Sequence, residues 1–354
     1  MSGECPIRLS RIPHPVSRIP YPAPRIPHPA SNIQEFPIRN PKSAIRNPKS
    51  QIRNQTVSYL KRRFREVGLK PDSRHGQNFL IDMNLLRILA DTADVSSEDV
   101  VLEVGTGTGG LTTLLADLAA AVVTVEIDQH LHQLASEELI DCENVTMLLQ
   151  DALRNKNNLD SRLLETVNQQ LSIDPNRKFK LVANLPFNIA TPLIGNLLAA
   201  PTVPQTMTVT IQKELADRIT ALPNTKDYGH LSIWVQSQCQ AEIVRVLPPT
   251  AFWPRPKVES AIIHLVVDPE KRSRIGDLAF FHRFIRAMFF HRRKFLRSVI
   301  ISAFKNELKK SDVDEVLATT DFRPDQRAEQ LSIDEMIALC DAFHSKLSQT
   351  DTGR

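Results

Sequence analysis

A continuous apolar run, Val100-Val101-Leu102-Glu103-Val104, breaks directly into Gly105-Thr106-Gly107-Thr108-Gly109-Gly110. An unbroken apolar run predicts a strand buried on both faces, and such strands belong to parallel sheets covered by helices. Glycine at the strand end permits a tight turn and lets a ligand approach the backbone without meeting a Cβ. Glu126 stands twenty-one residues beyond Gly105, at the end of a second apolar run over 121–125. A carboxylate at the tip of the second strand of a βαβ unit is placed to accept hydrogen bonds from ribose hydroxyls. The expectation is a nucleoside-bearing cofactor at the carboxyl ends of a parallel sheet. The pattern G-x-G-x-G followed by Gly110 also leaves open a nicotinamide or flavin enzyme, or a purely structural turn.

The 354 residues suffice for about two domains of ~150 residues. No apolar stretch approaches the ~18–20 residues of a membrane span and the N-terminus lacks a signal-peptide core, so no membrane partner is expected. Cys5, Cys142, Cys239 and Cys340 are scattered without C-x-x-C spacing. That excludes a zinc knuckle, offers no metal site, and fits free thiols in a reducing cytoplasm. The net charge of +4 hides an asymmetry: residues 1–56 carry nine Lys/Arg against Glu4 and Glu35, a net of +7, which leaves −3 for residues 57–354. A nucleic-acid partner must then be met by local basic patches.

Residues 1–56 hold 11 of the 24 prolines. Arg11-Ile12-Pro13-His14-Pro15 returns, with one His-to-Tyr change, at Arg18 and Arg25; Ile38-Arg39-Asn40-Pro41-Lys42-Ser43 returns at Ile45 and, truncated, at Ile52. Proline at this density blocks helices and removes ladder donors, so a disordered, partly polyproline II tail is expected. It reads either as a basic RNA tether or, preferably, as a translated DNA repeat upstream of a start near Thr56. Lys61-Arg62-Arg63-Phe64-Arg65, together with Lys70 and Arg74, is the first basic patch. A helix is expected over 82–93 and another over 130–139. Further strands are expected over 145–153, with an acidic tip at Asp151, over 179–183, and over 207–212. A sixth element covers 231–238 and continues as 241–247; a proline-fixed loop over 248–257 precedes a last strand over 261–267. Strands alternating with helices imply a doubly wound α/β sheet. Beyond Leu278 the chain turns helical, and Phe280, Phe281, Phe284, Met288 and Phe289 recur at the spacing of a packed face. His291-Arg292-Arg293-Lys294 and Arg297 form the second basic patch, a candidate phosphate contact. The expected divisions are a tail over 1–56, an α/β domain over 57–270, a helical RNA-binding domain over 271–346 and a tail over 347–354.

Asn184-Leu185-Pro186-Phe187, at the end of the fourth strand, narrows the chemistry. The lone pair of an exocyclic adenine amine is delocalised into the ring, which makes it a poor nucleophile. Acceptors that bind the amine hydrogens draw the nitrogen toward tetrahedral geometry. The Asn184 side-chain oxygen and the Leu185 carbonyl are two such acceptors, with Pro186 fixing their geometry. Phe187 offers a ring face for an extruded base, worth ~1–3 kcal/mol. With a sulfonium methyl donor over the glycine loop, catalysis is in-line positioning without a covalent intermediate. Hydride transfer needs none of these acceptors, so the run weighs against a dehydrogenase.

These residues closely resemble the ribosomal RNA adenine dimethyltransferases. The matching runs, in family order over about residues 57–335, include Gly76-Gln77-Asn78-Phe79-Leu80, Val101 to Gly107, Glu126-Ile127-Asp128, Gln150-Asp151-Ala152 and Asn184 to Ile189. They continue through Gln212 to Arg218, Asp227-Tyr228-Gly229-His230-Leu231-Ser232 and Phe252-x-Pro254-x-Pro256-Lys257. The resemblance implies a class I S-adenosylmethionine-dependent methyltransferase, with a Rossmann-like doubly wound sheet whose last strand is antiparallel, followed by a small all-helical domain. It implies N6,N6-dimethylation of two adjacent adenosines in the 3′-terminal hairpin loop of small-subunit (16S) rRNA. The setting would be a cytoplasmic pre-ribosomal particle late in assembly, with the enzyme acting as a monomer. It further implies that Asn78 and Leu80 contact the methionine end of S-adenosylmethionine and that Gly105 lets the backbone approach it. Glu126 would bind the ribose, Asp151 would hold the adenine amine, and Asn184 would lie between cofactor and target. The family usually carries Pro where this chain has Thr106 and Tyr where it has Phe187. Trp253 and Arg255 decorate the proline loop near the expected target pocket.

Two rivals remain within this fold. One is a large-subunit (23S) rRNA adenine N6-methyltransferase of the macrolide-resistance type, which shares N-[LI]-P-[FY]; residues 227–232 and the helical tail weigh against it. The other is a non-catalytic RNA-binding assembly factor, against which the intact Asn184, Glu126 and Asp151 weigh.

Overall fold

Helix α1 (Val57–Glu66) and the two-residue strand β1 (Phe79–Leu80) precede α2 (Met83–Thr92). Then β2 (Asp99–Val104), α3 (Gly110–Ala116), β3 (Ala121–Glu126), α4 (Gln129–Glu138) and β4 (Val145–Leu149) alternate. A hairpin of β5 (Leu153–Asn155) and β6 (Asn158–Leu159), with α5 (Ser161–Leu171), leads to β7 (Lys178–Asn184) and α6 (Ala190–Ala199). Next come β8 (Thr206–Gln212), α7 (Lys213–Thr220), α8 (His230–Gln236), β9 (Cys239–Leu247), β10 (Phe252–Trp253) and β11 (Ser260–Val267). Five helices follow: α9 (Pro269–Ser273), α10 (Leu278–Phe290), α11 (Leu296–Ala303), α12 (Lys310–Ala318) and α13 (Ile333–Asp351). This computed structural model describes residues 56–66, 68, 77–320 and 322–351, all within the unit Asn47–Arg354. The proline-rich repeats, Lys70, Arg74, His75 and Gly76 lie outside the described residues, and α13 runs into the stretch expected as a C-terminal tail.

Seven strands form one sheet in the order β4-β3-β2-β7-β8-β11-β9. The first five are mutually parallel. The last, β11, enters antiparallel between β8 and β9. Every residue of β2 and β3 is buried, which is the physical content of their unbroken apolar runs. From β2 the chain steps outward to β3 and β4, then returns to lay β7 on the opposite side of β2. A crevice therefore opens at the carboxyl end of β2, where ligands bind in open α/β sheets.

The first part of the sixth element, the stretch 231–238, forms helix α8. A short apolar run buried on all sides cannot be assigned by period alone. Here the Gly229 N–H bonds the Ser232 hydroxyl at 3.0 Å, closing the first turn, and Ser232 in turn donates to the Arg218 carbonyl. The phenylalanines of α10 are a packed face, as their spacing predicts. Phe280, Phe281, Phe284, Ile285 and Met288 are all buried, and the Asp277 carboxylate caps the helix through the Phe280 N–H at 2.8 Å. Phe281 stacks on Trp234 of α8 at 6.4 Å. One core runs unbroken from the sheet to α13.

Candidate active site

The Gly105 N–H donates to the Val125 carbonyl at 2.9 Å, which lashes the start of the glycine loop to β3. Gly105 has φ +87°, and a Cβ there would stand 3.3 Å from Cγ and Cδ of Pro186. Only glycine satisfies both the backbone and the close approach of the two motifs. Gly107, at φ +57°, is likewise covered by the Phe79 ring, 3.4 Å from where a Cβ would be. The loop thus lies between β1 on one side and the end of β7 on the other.

Around it is a cavity of about 330 Å³, at the lower end of the range for small-molecule sites. Asn78, Leu80, Gly105, Glu126, Asp151, Asn184, Leu185 and Pro186 all line it, so eight of the nine residues singled out in the sequence share one cavity. Phe187 is the exception. It lies outside these walls, partly buried, edge-on to Phe252 at 6.4 Å.

Glu126 is 5% exposed and fully engaged by backbone. One carboxylate oxygen accepts from the N–H groups of Ile127 and Asp128, both at 3.0 Å; the other accepts from Gly107 at 2.9 Å. Asp128 immediately caps α4 by accepting from His130 and Leu131. This is why the run Glu-Ile-Asp ends a strand and starts a helix within three residues. Burial raises the Glu126 pKa, and the three amides oppose it while the Asp128 charge adds to it. The oxygen that accepts from Gly107 keeps a second lone-pair direction, which a ribose hydroxyl can use. Asp151 accepts from the Leu153 N–H at 2.9 Å through Oδ1. Its other oxygen can take an amine hydrogen.

Asn184 carries the most informative contact. Its Nδ2 donates to the backbone carbonyl of Asn78 at 2.9 Å, while its Oδ1 is buried without a partner among the described residues. A carbonyl can only accept, so the amide orientation is determined: nitrogen to Asn78, oxygen unpaired. A buried acceptor left unmade costs ~1–3 kcal/mol. A donor-bearing ligand would satisfy it.

Glu103 also lines the cavity, and its importance does not emerge from the motif reading. Its Oε2 accepts from Thr112 at 2.6 Å and Thr124 at 2.9 Å, and Thr124 is in turn 2.6 Å from the Thr106 hydroxyl. Burial pushes its carboxyl up to about 8, the two hydroxyls oppose this, and the Glu126 charge adds to it. The signal was present in the sequence: a lone charge inside an apolar strand is almost never buried without partners. The same chain of hydroxyls explains Thr106. Where a proline would stiffen the loop, this threonine ties it to β3.

The basic patches are only partly free. Arg292 donates to Glu329 at 2.6 Å and to the carbonyls of Thr225 and Lys226. Arg297 grips Asp314 with two nitrogens. Both guanidiniums are thus paired within the protein, unlike their neighbours. Arg293 and Lys294 are exposed, with no ion pair among the described residues. On α1, Arg63 is tied to Glu66 and Glu137. Among the described residues there is no cluster of three metal-ligating side chains, and no helix is long and apolar enough to cross a membrane.

A parallel-centred seven-stranded sheet with an antiparallel last strand, a glycine loop after the first sheet strand and acidic residues at the next two strand tips define a class I methyltransferase. The profile of the family described as ribosomal RNA adenine dimethylase matches residues 68–341, and the chain belongs to that family. The ribosomal RNA small subunit methyltransferase A of Lactiplantibacillus plantarum is 41% identical over 278 residues, 78% of this chain and 91% of that protein. The protein of the same name from Streptococcus uberis is 40% identical over 269 residues, 76% of this chain and 90% of its own. Among solved structures, a dimethyladenosine transferase from Plasmodium falciparum superposes with a TM-score of 0.63 at 23% identity, over 75% of this chain and 97% of that one. The 23S rRNA methyltransferase ErmE superposes with 0.53 at 24% identity, over 75% and 100%. These two share the fold.

Proposed function

We propose that this enzyme dimethylates N6 of two adjacent adenosines in the 3′-terminal hairpin loop of small-subunit rRNA. It would use S-adenosylmethionine and act as a monomer on a cytoplasmic pre-ribosomal particle. The observation that carries the reading is the unpaired, buried Oδ1 of Asn184 in a cavity shared with Glu126 and Asp151. That acceptor, the glycine cradle and the two strand-tip carboxylates fit an adenosine-bearing cofactor beside an amine substrate. The small-subunit names of relatives near 40% identity favour the small-subunit RNA over the large.

When bound, S-adenosylmethionine supplies an electrophilic methyl group on a sulfonium. The glycine loop lets the backbone approach it, Glu126 binds the ribose hydroxyls and Asp151 the adenine amine. Asn78 and Leu80 stand at the methionine end. Asn184 would accept a hydrogen of the target amine through Oδ1, which localises the nitrogen lone pair. The amine proton would leave to solvent. Phe187, outside the cofactor cavity, offers a ring to the extruded base. The body over 57–270 carries this chemistry and the helices over 271–346 grip RNA, with Arg293 and Lys294 as phosphate ligands.

The test is transfer of labelled methyl from S-adenosylmethionine to undermethylated small and large subunits, with the product nucleosides read by mass spectrometry. Two N6,N6-dimethyladenosines per small subunit are expected. Methylation of large-subunit RNA instead, or of neither, refutes the reading.

A further inference from the structure

Trp253, on the proline loop, packs its ring against α1 and β1. Its ring lies 5.3 Å from Phe64 of α1 and 6.4 Å from Phe79 of β1, the latter stacked at 29°. Phe64 and Phe79 meet edge-on at 5.3 Å, so the three rings close on one another. Phe79 in turn lies over Gly107 of the cofactor loop. The backbone pairing beneath is minimal: Phe79 opposes Trp253, Leu80 opposes Phe252, and Ile81 donates to the Ala251 carbonyl at 3.0 Å. A two-residue ladder is at best marginal by itself, so the side chains must hold β1 in place. The residue just before β1 is Asn78, whose carbonyl accepts from Nδ2 of Asn184 and so sets which end of that amide is presented as acceptor. The two ends of that amide are nearly isosteric, so without the carbonyl it could turn over with no packing penalty.

We propose that Trp253 is a positioning residue for methyl transfer: it clamps β1 through Phe79, and β1 orients the Asn184 amide. The proposal rests on the function proposed above. It makes one side chain on β10 responsible for two effects, closure of the cofactor cavity at Phe79 and Leu80, and the orientation of the acceptor for the target amine. Phe252, its neighbour on the same short strand, touches Phe187, so both ends of the reaction site are referenced to β10.

The experiment compares Trp253→Ala, Trp253→Phe and Phe64→Leu with the full wild-type chain. S-adenosylmethionine affinity is read by calorimetry, kcat and KM on small subunits by methyl transfer, and folding by thermal melting. Trp253→Ala is expected to weaken cofactor binding about tenfold and to lower kcat about tenfold or more, with KM for the RNA substrate unchanged. Trp253→Phe should restore most of both. If Trp253→Ala does not fold, Phe64→Leu, which removes the third ring without touching the cavity, should show the same pattern. Wild-type values in the alanine variant, or in folded Phe64→Leu, overturn the proposal. So does a raised RNA KM at unchanged kcat, which would put Trp253 against RNA. If wild type itself neither binds S-adenosylmethionine nor methylates RNA, it is the functional reading that fails.

Discussion

The carboxylate of Glu126, at the tip of β3, accepts the N–H of Gly107 at 2.9 Å while also bonding Ile127 and Asp128. One side chain thus shapes the glycine loop and offers the ribose its acceptor. Glu126→Ala leaves three backbone donors without their acceptor, each worth ~1–3 kcal/mol where water cannot replace it. We expect S-adenosylmethionine binding to be abolished and the melting temperature to fall. Glu126→Gln keeps the shape but turns an amine toward one of the amides, so it should fold and bind the cofactor about tenfold more weakly. Equal affinity of wild type and Glu126→Gln in a calorimeter would remove the carboxylate from the ribose site.

Asn184 permits a cleaner separation of binding from chemistry. Asn184→Asp places an acceptor against the Asn78 carbonyl, which cannot donate, and so drives the side chain out of its present orientation. The expected result is a fall of about 10²–10³ in kcat, the scale seen when one preorganised polar contact to a reacting group is removed. Cofactor affinity should change by only a few fold. A variant that methylates RNA at the wild-type rate would show that Oδ1 never meets the target amine.

Most of the fold and cavity was legible because the features that build them are local. Apolar runs gave the strands, and three glycines with two strand-tip acids gave the crevice. What escaped was non-local. Strand β10 pairs with β1, far back in the chain (Phe79 with Trp253), and two-residue strands carry no alternation to read. The apolar stretch in α8 is short and broken by Ser232, so its period could not distinguish helix from strand. Arg292 looks like its neighbours Arg293 and Lys294 in sequence, yet only the fold brings Glu329 and the carbonyls of Thr225 and Lys226 around its guanidinium. Glu103 was readable as an oddity, but its threonine partners come from α3 and β3.

The basic turn after α10 separates accordingly. Replacing Arg293 and Lys294 by alanine should weaken binding to small-subunit RNA. It should also reduce the slope of log K against log salt by about one for each phosphate that is no longer neutralised. Arg292→Ala should instead lower the melting temperature and leave that slope alone, because its guanidinium is committed to the fold. An unchanged salt slope in the Arg293/Lys294 double variant would place both on a merely solvated face.

Glu103 makes stability depend on pH in a direction opposite to that of an ordinary paired carboxylate. Its folded pKa of about 8 lies above the value of 4.5 taken for an unperturbed glutamate. Between those values the folded state holds a proton that the unfolded state has released. Stability contributed by this site is therefore complete below about pH 4.5, falls as pH rises toward 8, and is constant beyond. The full effect is of the order of a few kcal/mol. Glu103→Gln cannot ionise, yet keeps an oxygen to accept from Thr112 and Thr124. The difference in unfolding free energy between wild type and Glu103→Gln should thus drift in favour of the variant from about pH 5 to pH 8, with all other titrating groups cancelling. Chemical denaturation at four or five pH values measures it, and a difference that stays flat would mean that Glu103 ionises alike in both states.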